Sequence, residues 1–285
     1  MIPAAFEYAA PTTLDGVIQT LVDNEDDAKL LAGGHSLLPL MKLRLAAPAL
    51  LVDLGRVPDL AYIRDAGDHV AIGAMTTEYA LESSDLLRDR LPLLAEAAGM
   101  IGDQQVRNRG TIGGSLAHAD PASDLPTVVT ALRGEIIATG PNGQRSIPAE
   151  EFFQDIWTSV LDPTEVLTEV RIPYVAGAAQ TYEKFRLRAA DWAIVGVAIS
   201  ATRQDGNVGD ISVVLTNVGP TPVRAKGVED ALKGGPVTRE VIATAAEKAS
   251  DGLEPSGELK ASPDYKRHLA RVLTRRALER VLIPA

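Results

Sequence analysis

The sequence predicts an α+β protein of two domains, the second smaller than the first. Three observations point there. The chain has 285 residues, and domains of about 100–200 residues make two the natural division. Up to residue 175, short apolar runs alternate with amphipathic stretches, as in an α/β unit. From residue 176 onward, three strand-like runs come first and three helical stretches follow, a βββααα order that sets the tail apart. The expected division is 1–175, with two α/β subdomains meeting near residue 55, and 176–285.

The elements follow in order. Thr12 and Thr13 precede Leu14, Val17, Ile18, Leu21 and Val22, an i, i+3, i+4 pattern behind an N-cap, so a helix is predicted. Residues 28–32 (AKLLA) are an apolar run stopped by Gly33-Gly34 and read as a buried strand. Ser36 is placed to cap a helix over 37–45, and 50–54 (LLVDL) reads as a strand. In the second subdomain, 69–74 (HVAIGA) is a strand and Thr76 and Thr77 are helix-start candidates. Residues 86–100 read as one helix with Leu87, Leu91, Leu94 and Ala98 along one side. A helix over 125–132, a hairpin of 135–139 and 145–147 around Pro141-Asn142-Gly143, and a strand over 166–172 complete it. The tail holds strands over 182–187, 193–203 and 208–217, the last two joined at Asp205-Gly206-Asn207. Helices over 225–233, 238–250 and 262–281 close the chain.

Composition narrows the function. A formal charge of −10 argues against a nucleic-acid surface, which carries net basic character. The absence of cysteine excludes disulfides, a thiol nucleophile and any all-cysteine iron–sulfur or zinc site in this chain. The start MIPAAFEYAAPTTL has neither a basic region nor an apolar core, so no secretory leader is expected. Apolar runs such as 193–201 fall short of the roughly 20 residues a membrane span needs. A soluble, cytoplasmic protein is the expectation.

Three stretches carry the candidate chemistry. The first is Ala32-Gly33-Gly34-His35-Ser36, ahead of a helix starting at Leu37. Paired glycines let the backbone turn and let a ligand approach where a Cβ would otherwise stand. The helix start that follows presents free N–H groups and a positive dipole end, which suits phosphate. The second, Thr111-Ile112-Gly113-Gly114-Ser115, reads as the same design. Either pair alone is equally a cap or a tight turn, but together they can clamp the two phosphates of a dinucleotide. The third is SLAHADPASDL (115–125), where His118, Asp120 and Asp124 suggest a metal or acid/base group. Asp124 also reads as the cap of a helix beginning at Leu125, and a carboxylate there can accept hydrogen bonds from sugar hydroxyls. No Gly-x-Gly-x-x-Gly, Walker-type loop or His-Glu-x-x-His is present, and Ser115 in GGSLA is no nucleophile elbow.

Three segments taken in order, AGGHSLLPLMKLRLAAPALLVDL (32–54), QVRNRGTIGGSLAHADPASDLPTVVTAL (105–132) and YEKFRLRAADWAIVGVA (182–198), resemble the FAD-binding subunit of the molybdenum hydroxylases. This is the family of xanthine dehydrogenase, aerobic carbon monoxide dehydrogenase and the N-heterocycle dehydrogenases. The resemblance runs over essentially the whole chain. It implies a two-subdomain FAD-binding domain of the vanillyl-alcohol-oxidase (PCMH-like) type, followed by a smaller C-terminal domain. It further implies that 32–36, leading into Leu37, and 111–115 hold the FAD pyrophosphate. Gly102 and His118 then lie near the cofactor, Asp124 on the sugar-side hydroxyls, Leu167 against a ring and Lys184 near the flavin. Asp191 and Trp192 fall on a loop beside the isoalloxazine.

By the same resemblance this chain carries FAD and no metal or catalytic residue of its own. A large partner subunit holds the molybdenum cofactor and a small one two [2Fe–2S] clusters, in a dimer of heterotrimers. Electrons pass from the clusters through this chain to a terminal acceptor. Each residue also has a plainer reading: Leu167 and Trp192 as core, Lys184 as a solvated strand-edge charge. Relatives often carry Asn or Asp where this chain has Ser115. Two other functions compete: a nucleotide- or anion-binding module without redox chemistry, and a stand-alone FAD oxidase, for which the tail is a small cap.

Overall fold

The computed structural model describes residues 2–25 and 27–283; the outermost ends of the two expected domains, at 1 and 284–285, lie outside them. Helix Leu14–Asp23 forms as predicted, because Thr13 is extended and its hydroxyl accepts the Gly16 amide while Val17, Ile18 and Leu21 turn inward. It packs on a parallel three-stranded sheet ordered Glu7–Ala9, Leu50–Asp53, Ala28–Leu31. The second helix is shorter than expected, Leu37–Lys42, and Ser36 makes no capping hydrogen bond because it is already in a helical conformation.

The second sheet is antiparallel, in the order Ile63–Asp65, His69–Gly73, Val166–Pro173, Glu135–Gly140, Gly143–Pro148. Between His69–Gly73 and Glu135–Gly140 the chain leaves the sheet and runs through six helices that build the main core with it. The helix expected over 86–100 is two, Asp85–Arg90 and Pro92–Gly99. Pro92 disfavours helical backbone at the residue before it, and Leu91 sits at φ −137°, ψ 58°. The remaining leucines stay where periodicity placed them: Leu87, Leu91, Leu94 and Ala98 are fully buried. Gln104–Arg107 and Ile112–His118 are helices that the sequence reading left as loop.

The third sheet has four strands where three were expected: Ala179–Phe185, Val195–Gln204, Asn207–Thr216 and the short Val223–Arg224. Asp205 and Gly206 both take positive φ (51° and 82°) and connect the paired Gln204 and Asn207. That is the mirror-image turn whose twist matches a hairpin. Helices Lys226–Leu232, Arg239–Ala246 and Pro263–Leu282 follow. Alternation along the central strands sends Val195, Val197, Ile199, Val213 and Leu215 toward these helices. Tyr182, Ala198 and Val214 face the opposite way and belong to the main core. A sheet covered on both faces favours apolar residues on both, which explains the nearly continuous apolar run at 193–201, broken only by Ser200. Polar ties cross the same junction: Arg133 makes a two-pronged pair with Asp210 at 2.6 and 2.8 Å, and Arg280 reaches Glu96 at 3.4 Å. Among the described residues no helix is long and apolar enough to cross a membrane.

Candidate functional site

The two glycine pairs, 79 to 81 residues apart in the chain by their numbering, are brought into contact. A Cβ on Gly33 would lie 2.1 Å from the Arg109 carbonyl oxygen and 3.0 Å from the Gly110 Cα. A Cβ on Gly114 would lie 3.6 Å from that of Ala32. Gly34 takes φ +79°, the left-handed region where a side chain is strained. So the strand end at Ala32 and the segment 109–114 approach closely because glycines stand at the contact.

The pairs differ in what their backbones offer. The amides of Gly33, Gly34, His35, Ser36 and Leu37 find no acceptor among the described residues. His35 and Ser36 are exposed and the glycines half-buried, so this loop presents a short row of donors. The second pair is not a loop, contrary to the sequence reading. Gly113 and Gly114 lie in the first turn of Ile112–His118, whose N-cap Thr111 accepts the Gly114 amide at 3.2 Å. The amides of Ile112, Gly113 and Ser115 donate to Thr76, Ala74 and Thr111 carbonyls. These glycines make room for the chain itself: a Cβ on Gly113 would stand 2.6 Å from that of Ala74.

Behind the second pair lies a buried polar cluster. Lys184 Nζ donates to Asp124 Oδ2 at 2.7 Å and to the Met100 carbonyl at 3.1 Å. Arg186 donates to the same carbonyl at 2.7 Å, two residues before Gly102, which turns at φ +47°. The Tyr182 hydroxyl donates to Asp124 Oδ1 at 2.6 Å, in the space that Gly196 leaves by lacking a Cβ. Burial pushes the Asp124 carboxyl up, and Lys184 and the Tyr182 hydroxyl pull it back. Burial also raises the Tyr182 phenol well above its usual value. The Lys184 side chain is 1 % exposed, so the solvated strand-edge reading is wrong. Asp124 is the first residue of its helix and Ser123 the cap position, so Asp124 is no cap; its two oxygens are turned to the third sheet.

Leu167 is buried in the main core, at a bulge whose next residue, Thr168, accepts the Ala74 amide. His118 lies at the far end of its helix from the glycines, stacked on Trp157 at 6.5 Å, and burial lowers its pKa. Asp191 is held by Lys260 at 2.6 Å, which keeps its carboxyl below the usual range. Trp192 is 75 % exposed, so its reading as core is wrong. The sequence reading missed Glu78 and Tyr182. Glu78 follows Thr77, the cap of helix Glu78–Ser83, where an acid is the ordinary complement of the helix dipole; nothing local announces that it is buried.

Comparisons with known proteins agree with this architecture. Residues 4–175 match the FAD binding domain in molybdopterin dehydrogenase, and residues 180–281 match the CO dehydrogenase flavoprotein C-terminal domain. The carbon monoxide dehydrogenase medium chain of Hydrogenophaga pseudoflava is 44% identical over 279 residues, covering 98% of this chain and 97% of that one. The 6-hydroxypseudooxynicotine dehydrogenase complex subunit alpha of Paenarthrobacter nicotinovorans is 37% identical, covering 99% of this chain and 96% of that one. Among solved structures, carbon monoxide dehydrogenase from Hydrogenophaga pseudoflava superposes with a TM-score of 0.97 at 46% identity, covering 99% and 98% of the two chains. Quinoline 2-oxidoreductase from Pseudomonas putida 86 superposes at 0.95 with 34% identity, covering 99% and 98%. With two family models in tandem over nearly its whole length, this chain belongs to the FAD-binding medium subunits of the molybdenum hydroxylases, oxidoreductases of the carbon monoxide and xanthine dehydrogenase family.

Proposed function

We propose that this chain is the electron-transfer subunit of its complex, receiving electrons from [2Fe–2S] clusters on a small partner and passing them to a terminal acceptor. In this reading a large partner holds the molybdenum cofactor, and the cytoplasmic assembly is a dimer of heterotrimers. The observation that carries it is the row of unpaired amides at 33–37 beside a second glycine pair that packs against it. Outward-facing N–H groups that no protein acceptor engages are ready donors, and one anion accepts from several of them at once. The residues present therefore fit a dinucleotide pyrophosphate.

The amides of Gly33 to Leu37 would hold the pyrophosphate, with the hydroxyl of Ser115 across from them. Bound FAD supplies a carrier that exchanges electrons singly or in pairs. Asp124 would meet sugar hydroxyls through the lone pairs that Tyr182 and Lys184 leave free. Leu167 and Gly102 would border the ring system, and the Lys184–Asp124 pair would hold a fixed buried charge pair near it. Asp191, anchored by Lys260, would set the loop that carries Trp192 to the open side of the flavin. His118, on this geometry, would stand farthest from the pyrophosphate.

Relatives bear names that include carbon monoxide, glyceraldehyde, nicotine and caffeine, yet the fold is shared. A substrate chosen on the large partner explains that spread. The test is to purify the assembly through this chain, denature it, and chromatograph the released flavin. About one FAD per chain is expected. A folded assembly that carries no flavin after incubation with excess FAD would return the chain to a plain anion-binding module.

A further inference from the structure

Glu78 opens helix Glu78–Ser83, and its amide donates to the Gly110 carbonyl at 2.9 Å. Its side chain lies along Gly110: a Cβ there would be 2.7 Å from Cδ and from both carboxyl oxygens. The residue is 5% exposed, and Oε2 has no hydrogen-bond partner among the described residues. Three charged groups face it, each from a different element: Arg107 from Gln104–Arg107, Asp124 from Asp124–Ala131 and Lys184 from Ala179–Phe185.

Both cations are committed elsewhere. Arg107 pairs with Glu82 at 2.8 Å and donates to the Ile101 carbonyl at 2.9 Å. Lys184 is engaged by Asp124 and Met100. Glu78 therefore has no counter-ion of its own, and Asp124 opposes its charge. Burial, with Asp124 adding to it, pushes the carboxyl up to about 7, against the pull of Arg107 and Lys184. The first glycine pair leans on the same backbone segment, since Gly33 abuts Arg109 and Gly110. The buried acid and the row of amides are thus separated by little more than one glycine.

We propose that Glu78 is a proton-coupled positioning residue of the cofactor site: neutral, it lets the amides of 33–37 take up a dinucleotide pyrophosphate beside Gly110, and ionised, it opposes that charge. The inference rests on the FAD reading above. A pyrophosphate brings negative charge beside a low-dielectric pocket that already holds Asp124, so a second carboxylate without a counter-ion is repelled. A neutral acid of the same shape is not. Loading therefore draws a proton onto Glu78, and affinity falls as pH rises through the range where the unloaded site loses that proton.

The experiment uses the complex recovered through this chain, stripped of flavin and titrated with FAD while flavin fluorescence is followed. The wild type is expected to weaken about tenfold between roughly pH 6 and pH 8, the most that one proton near neutrality gives over that span. Glu78→Gln is expected to bind with little pH dependence and at least as tightly as wild type at the alkaline end. On the wild type alone, the binding enthalpy should vary with the buffer's ionisation enthalpy, showing proton uptake. A flat wild-type profile with buffer-independent enthalpy overturns the proposal, as does a folded Glu78→Gln complex that keeps the wild-type slope. If Glu78→Gln does not fold, the buffer series on the wild type decides. Absence of FAD binding at every pH, in wild type and variant alike, overturns the cofactor reading itself and this inference with it.

Discussion

Gly33-Gly34 and Gly113-Gly114 look interchangeable in the sequence, and the fold uses them in opposite ways. The first pair ends a strand, turns through a left-handed glycine and leaves the amides of 33–37 without acceptors. The second pair sits inside a helix capped by Thr111, with its amides consumed by Thr111 and Ala74. The neighbouring hydroxyl makes the difference. Thr111 precedes its glycines, is extended and caps, which starts the helix before them; Ser36 follows its glycines and does not cap, so the helix after it leaves them outside. A glycine pair therefore reports close approach, and only the surrounding backbone shows whether a ligand or the chain itself fills the space.

The comparison can be broken most sharply at Gly33. Gly33→Val puts a Cβ 2.1 Å from a backbone carbonyl that cannot swing away. The segments should be forced apart, with FAD lost from the purified complex and stability lowered by about 3 kcal/mol or more. A denaturation midpoint close to wild type would show that the two pairs do not depend on each other. Gly113→Ala is the counter-test, since its Cβ meets the Ala74 Cβ at 2.6 Å and the Ala74 carbonyl at 2.8 Å. It should cost about 1–3 kcal/mol through overpacking, with FAD affinity less affected than after Gly33→Val. Loss of FAD at unchanged stability would move Gly113 into the ligand-facing class. The smallest effects come from the hydroxyls. Thr111→Val should cost about 1 kcal/mol by removing a cap, whereas Ser36→Ala should stay within about 0.5 kcal/mol. Equal losses in thermal unfolding would erase the distinction drawn from the caps.

Much of the fold was legible because its signals are local. Thr13 before a 3.6-period stripe, the apolar runs within 193–203 and 208–217 and the Asp205-Gly206 turn each act within a few residues, and each element stands within a few residues of where it was expected. The failures are also local in origin. Pro92 divides a stripe whose hydrophobic period runs straight through it, since burial of Leu87, Leu91 and Leu94 survives a break in the helix axis. Short helices such as Gln104–Arg107 lack the length that periodicity needs, and they persist because tertiary packing holds them.

By itself, then, the sequence determined the order of the longer strands and helices, the glycine pairs at which backbones approach closely and the segments that mark the family. Those depend on residue type and spacing, which a chain carries before it folds. The tertiary structure alone decided that Gly33 and Gly110 touch, that Lys184 neutralises Asp124 across a domain junction while Trp192 stands in solvent, and that Glu78 is left buried with no counter-ion. A charge acquires its partner and its dielectric from residues distant in the chain, and no local pattern records either.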